Sequence, residues 1–217
     1  MIKKKSDFCV LCGKLPPYGK KGDHIPPISI YSVAERTSAR YRFNAVPACE
    51  SCNAEGKVSD EVLKLFIGLS TGEYRDFQDE LIESFGKTLQ KNSRISNEFF
   101  ESISEWFPDG GAVSGRKFGA VFDRNLCEKS LGRICRGMYW FMTENIYPND
   151  GLIEIFFPCD QFYQSVSNNV ADINVKRSEE VNGGTFRCNV FDFSGFEIME
   201  MVFFGKLTIF ANLNSDK

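Results

Sequence analysis

Gly22-Asp23-His24-Ile25-Pro26-Pro27 holds the one histidine of the chain and lies between two cysteine pairs, Cys9-Val10-Leu11-Cys12 and Cys49-Glu50-Ser51-Cys52. Any imidazole chemistry in this protein is therefore done by His24. A structural zinc site needs four soft ligands in a tetrahedral array, and a C-x-x-C turn supplies two of them with one bend. Cys9, Cys12, Cys49 and Cys52 make a complete set. The 36 residues between the pairs, 13–48, are more than a minimal zinc ribbon needs, so they carry an inserted element. That element contains Asp23, His24 and Asn44. The alternative, two buried dithiols, is hard to sustain in so short a segment.

Working outward, Gly22 to Ile25 reads as a short strand stopped by Pro26-Pro27, and residues 43–47 as a second short strand or extended turn. Residues 28–42 read as a loop or short helix with Arg36, Arg40 and Arg42 spaced through it. The second cysteine pair runs into a helix. Ser59-Asp60-Glu61 starts a clearer one, with Val62, Leu65, Phe66 and Leu69 at helical spacing, broken at Thr71-Gly72. The same spacing predicts helices over residues 73–91, about 95–107 and about 123–145. Their apolar stripes read as core. Lys129, Arg133 and Arg136 on the last helix read as its polar face, with a DNA-facing stripe as the alternative.

After Pro148 the pattern changes from helix to strand. Residues 152–157 read as a strand and 161–169 as a short helix. Strand-like runs at 171–177, 185–193, 196–204 and 206–212 are separated by Asn182-Gly183-Gly184, Ser194-Gly195 and Gly205, which is turn chemistry. The expected class is α+β: a head over residues 1–60, then a body over 61–217 of helices and a C-terminal antiparallel meander with helices on one face.

With 21 phenylalanines and 42% hydrophobic residues the chain can fill a real core. The net charge of −3 argues against a generally basic nucleic-acid binder, but the charge is uneven. Residues 1–60 hold ten Lys/Arg against six Asp/Glu, and the remainder sixteen against twenty-three. A basic head on an acidic body suits a local phosphate-binding surface. No run approaches the ~20 apolar residues of a membrane span. The basic start, Met1 to Lys5, is followed by Ser6-Asp7-Phe8-Cys9 and not by an apolar signal region. A cytoplasmic protein is expected, with Cys127, Cys135, Cys159 and Cys188 as reduced core thiols.

The head also holds the groups that phosphodiester hydrolysis requires. A neutral imidazole can take a proton from water. Carboxylate and amide oxygens are hard ligands that suit Mg²⁺ or Mn²⁺. Neighbours in a regular strand point to opposite sides, so Asp23 and His24 share a site only if the strand ends there or if they take different tasks.

These residues carry a resemblance. Cys9-x-x-Cys12, Gly22 to Pro27, Asn44-Ala45-Val46-Pro47-Ala48-Cys49-x-x-Cys52 and Asn53-Ala54-Glu55-Gly56-Lys57 resemble the HNH endonuclease family over residues 6–60, about a quarter of the chain. The resemblance implies a zinc-bound ββα-metal fold. It implies His24 as general base, Asp23 and Asn53 as ligands of catalytic Mg²⁺ or Mn²⁺, and Asn44 fixing the loop that orients His24. The last motif position, often His, is Asn53 here, as in the HNH domain of the RNA-guided nuclease Cas9. Lys57 would lie near the phosphate, or be a solvated helix lysine.

The expected activity is hydrolysis of DNA with a 3′-hydroxyl and a 5′-phosphate as products, in a bacterial or phage setting. Lys20, Lys21, Arg36, Arg40, Arg42 and Lys57 would grip the backbone without reading bases. The body would supply recognition, a protein partner or homo-oligomerisation. Two rivals remain open: a non-catalytic zinc module that binds nucleic acid or protein, and an RNase toxin.

Overall fold

A computed structural model describes residues 7–14, 22–71, 78–106, 117–161, 163–171, 173–193 and 195–214. Strand β1 (Asp23–His24) pairs antiparallel with β2 (Ala45–Val46), His24 opposite Ala45. Between them run a 3-10 turn at Ile28–Ile30 and the short helix α1 (Val33–Thr37). A capping box starts α1: the Ser32 hydroxyl accepts from the Glu35 N–H, and the Glu35 carboxylate accepts from the Ser32 N–H.

Helix α2 (Glu50–Thr71) is a single helix of 22 residues, where the sequence suggests two segments. No proline intervenes, and only Gly56 and Gly68 weaken it, by about 1 kcal/mol each in an exposed helix. Both mark crossings. A Cβ at position 56 would lie 1.6 Å from Arg133 Nη1, and one at position 68 would lie 1.8 Å from Phe85 Cζ.

Helices α3 (Gln78–Lys91) and α4 (Ser93–Ser102) follow. The helix expected to about residue 107 stops at Ser102, and Ser104–Trp106 forms β3, paired with β4 (Lys117–Gly119). Tertiary pairing overrides the helical spacing here. The Ser102 hydroxyl donates to the Phe99 carbonyl at 2.8 Å and accepts the Val121 N–H at 3.0 Å, tying the helix end to the segment after β4. Phe107 and the expected loop at 108–111 lie outside the described residues.

Helix α5 (Arg124–Thr143) is capped by Asp123, whose carboxylate accepts the Leu126 N–H at 3.1 Å. Of the stripe that the spacing predicts, Leu131, Ile134, Cys135 and Met138 are buried and Leu126 and Phe141 are half-buried. The rest is β5 (Leu152–Phe156), α6 (Tyr163–Ala171), β6 (Val175–Val181), β7 (Phe186–Phe193), β8 (Phe196–Phe203) and β9 (Leu207–Asn214). The strands form one antiparallel sheet in the order β5-β9-β8-β7-β6. β7 to β9 are as expected, but the strand expected at 171–177 is β6 at Val175–Val181, because α6 runs on to Ala171; β5 closes the far edge.

Helices cover both faces of the sheet, not one. Cys188, Met199, Met201 and Ala211 join α2 and α5 in the main core. Phe191, Ile198 and Phe210 point the other way and pack with Val170 of α6. Adjacent Ile198 and Met199 are both buried, so neither face of β8 can be left to water. Cys127, Cys135 and Cys188 are buried thiols, but Cys159 is exposed in the turn after β5.

The boundary expected at 60/61 falls inside α2. One apolar core runs from Cys9, Val10 and Ile25 through Leu63 and Ile134 to Met201 and Ile209. Gly137 of α5 lets Ile25 approach, since a Cβ there would lie 2.6 Å from its Cγ1. Tyr31 packs edge-on against Phe43, and its hydroxyl accepts from Asn182 Nδ2 at 2.9 Å. Head and body are thus continuous. No helix among the described residues is long and apolar enough to cross a membrane.

Lys64 gives a stability test in this core. Its ammonium is buried between α2 and α3, donating to the Ser84 carbonyl at 2.9 Å and to Thr88 Oγ1 at 2.8 Å. Burial pulls its pKa down to about 8, against ~10.4 in the unfolded chain. Between those values the folded state has released its proton and the unfolded state still holds it. Lys64 therefore favours folding more as pH rises through that window, by on the order of 3 kcal/mol in full. Urea unfolding of wild type and Lys64→Met at pH 7 and pH 10 should show the stability difference moving toward the wild type. A difference that stays constant would contradict the assignment.

Candidate functional site

The first cysteine turn is closed by the Gly13 N–H donating to the Cys9 carbonyl at 2.7 Å, with Gly13 at φ +66°. The Val10 N–H donates to the Pro47 carbonyl at 2.9 Å, which brings the first turn against the segment leading into the second. Cys52 sits in the first turn of α2, and its N–H donates to the sulfur of Cys49 just before the helix at 3.5 Å, which lowers the Cys49 pKa. The four sulfurs lie within 4.8 Å of one another. The Cys12 and Cys49 sulfurs are 3.9 Å apart. A tetrahedron of ~2.3 Å zinc–sulfur bonds has edges of about 3.8 Å. The Cys49 N–H also points at Cys9 Sγ at 3.3 Å. Burial pushes the Cys9 and Cys52 thiols up, so four thiolates side by side need a cation. The cluster fits a metal ion such as zinc.

Next to the cluster is a cavity of about 490 Å³ whose walls include Asp23, His24, Asn53, Lys57, Asp60 and Glu61. β1 ends at His24, ahead of Pro26, and both Asp23 and His24 line the cavity. The imidazole is half-buried, and burial lowers its pKa, which keeps it neutral. Asn53 stands in the first turn of α2, its N–H bonded to the Cys49 carbonyl at 3.0 Å. Lys57 lies one turn on. The cysteine cluster therefore fixes the helix start that carries Asn53.

Asn44 is not on the cavity wall. Its main-chain carbonyl accepts the Ile25 N–H at 3.1 Å and extends the β1–β2 ladder past His24. Arg36 lines a neighbouring cavity with Lys64 and Glu80. Arg40 and Arg42 are exposed elsewhere, the Arg40 carbonyl lying beside Gly183. Lys20 and Lys21 lie outside the described residues.

The basic residues of α5 form no open stripe. Lys129 is 3.7 Å from Glu55, and Arg136 donates to the Pro148 and Gly151 carbonyls. Arg133 is buried. Its Nη2 bonds the Asp23 carboxylate and its Nη1 donates to Asp60 Oδ1 at 2.9 Å. The Ser130 hydroxyl donates to the same Asp60 oxygen at 2.5 Å. Burial pushes the Asp23 and Asp60 carboxyls up, and the guanidinium between them pulls back down. Sequence reading missed Asp60 and Arg133 as parts of the site. The one local signal was Gly56, whose missing side chain admits the guanidinium.

Compared with protein-family models, with curated proteins and with solved structures, the chain matches none. The arrangement itself must then carry the reading. Its oxygen donors, Asp23, Asn53, Asp60 and Glu61, are hard and suit Mg²⁺ or Mn²⁺ better than a soft metal. Asp23 keeps one carboxylate oxygen for such a role, since Oδ2 is held by Arg133.

Proposed function

We propose that the protein is a metal-dependent endonuclease of the HNH type, hydrolysing DNA phosphodiester bonds on a zinc-held ββα-metal head. The observation that carries this is the convergence of His24, Asp23 and Asn53, from two distant segments, on one cavity beside the cysteine cluster. Asp23 and Asn53 would hold Mg²⁺ or Mn²⁺. When bound, the cation would neutralise charge on the phosphate and the leaving oxygen. His24 takes the proton of the attacking water, and Lys57 faces the phosphate from the helix. Asn44 holds the strand end behind His24 through its main chain. Arg36 and Arg42 remain candidates for a looser grip on the strand, together with Lys20, Lys21 and Arg40.

A non-catalytic zinc module accounts for the four cysteines but gives no role to a neutral, half-buried imidazole that shares a cavity with carboxylates. A nicking assay on supercoiled plasmid with Mg²⁺ or Mn²⁺, with an RNA substrate alongside, tests the proposal. Cleavage of RNA alone would move the reading to a ribonuclease, and no cleavage by wild type would remove it.

Roles separate by metal rescue. Asn53→Ala should lose activity at low Mn²⁺ and regain part of it at high Mn²⁺. Asp23→Ala should behave likewise but with a lower melting temperature, because it leaves Arg133 buried beside one carboxylate fewer. His24→Ala should not recover with added metal. Equal rescue of all three would refute this division.

A further inference from the structure

We infer that Arg133 is a positioning residue of this site, so that the catalytic unit includes α5 of the body as well as the motif-bearing head; this rests on the nuclease reading above. Arg133 stands 110 residues from Asp23 and 73 from Asp60. Its side chain is 11% exposed, against 7% for Asp23 and 16% for Asp60. One planar fork thus ties β1, the middle of α2 and α5 together at the cavity wall. Ser130, one turn earlier on α5, fixes Asp60 from the same side.

The consequence is directional. With Oδ2 held by Arg133, the Asp23 carboxylate has one orientation, and its other oxygen is the one left for the cavity. His24 follows directly on β1 and lines the same cavity. Arg133 therefore fixes the strand end that aims both side chains. A latch that blocks Asp23 until activation would need a route out for the guanidinium. Instead α2 is cut away for it at Gly56, which is the mark of a permanent seat. Lysine could not replace it, because an ammonium is a point charge without the fork that spans two carboxylates.

The test compares wild type, Arg133→Met, Arg133→Lys, Asp60→Asn and Gly68→Ala at fixed pH, all zinc-loaded. Gly68→Ala is a stability control, since its Cβ meets Phe85 away from the cavity. Three things are measured: melting temperature, Mn²⁺ affinity by electron paramagnetic resonance of the free ion, and the Cε1–H signal of the single histidine. Arg133→Met is expected to weaken Mn²⁺ about 10–100-fold, the usual effect of losing a residue that orients a ligand, and to displace the His24 signal. Arg133→Lys should fall between it and wild type. Gly68→Ala should lose melting temperature and keep both other properties. If Arg133→Met does not fold, Asp60→Asn must displace the His24 signal of the Mn²⁺-free protein in the same direction with smaller size, and a signal that stays in place overturns the proposal.

Unchanged or tighter Mn²⁺ binding in a folded Arg133→Met overturns the proposal and leaves the nuclease reading standing. A wild type that neither binds Mn²⁺ nor cuts removes the nuclease reading. The positioning role is then decided by the His24 signal, and one that stays in place in Arg133→Met overturns it.

Discussion

Under the proposed nuclease function, the His24→Ala variant is expected to lose about 10²–10⁴-fold in nicking rate, the usual effect of removing a general base, while keeping the metal of its cysteine cluster and its fold. The size follows from the histidine being alone: no second imidazole exists in the chain to take over. Of the carboxylates on the cavity wall, Asp23 and Asp60 each give one oxygen to Arg133 and Glu61 gives one to the Asn92 side chain, while Glu50 lines the exposed rim at the start of α2. The fold should survive because β1 is held by its main chain, through the Ala45 pairing and the Ile25–Asn44 hydrogen bond, neither of which uses the imidazole. Initial rates at saturating Mg²⁺, with melting temperature and zinc content measured on the same samples, check this. Free imidazole should restore part of the lost rate. A variant that keeps its zinc and nicks near the wild-type rate would mean that another group is the base.

The second large effect is on folding. Cys49→Ser is expected to abolish zinc binding and unfold the head. Cys49 links both halves of the cluster: its sulfur lies 3.9 Å from that of Cys12, and its N–H points at Cys9 Sγ. Structural zinc binding is worth roughly 10–16 kcal/mol in small zinc domains, which is comparable to a typical domain's entire stability. Cys9, Val10, Ile25 and Val46 share a core with α5 and the sheet, so the damage should spread to the body. Metal analysis, far-UV circular dichroism and hydrogen exchange on the β7–β8 amides follow it. Strong chelators should reproduce the effect slowly. A zinc-free variant with native exchange protection would show that the cysteines are not the scaffold.

What was readable from the sequence is what is local. A C-x-x-C pair declares itself because one bend makes half a tetrahedron. The stripe on α5, the strands β7 to β9 and the turns at Gly183, Gly195 and Gly205 declare themselves because their periods and φ requirements are set within a few residues. Helix boundaries were less readable. Ser102 ends α4 by bonding Val121, nineteen residues on, and no window of local sequence contains that partner.

The candidate site divides in the same way. His24, Asp23, Asn53 and the four cysteines were all legible as residue types at a spacing, and they lie on one side of the molecule. Arg133 was not. It looks like any basic residue on a helix face, and its meaning depends on α5 crossing α2 at Gly56. Sequence by itself determined which groups are present for chemistry: one imidazole, hard oxygen donors and a four-thiol cluster, all in the first quarter of the chain. Only the tertiary structure decided that the head has no boundary at residue 60, that helices cover both faces of the sheet, and that Asp23 is aimed by a guanidinium from the body. The physical reason is that a buried charge must be paired, and in this fold its partner comes from a helix 110 residues away.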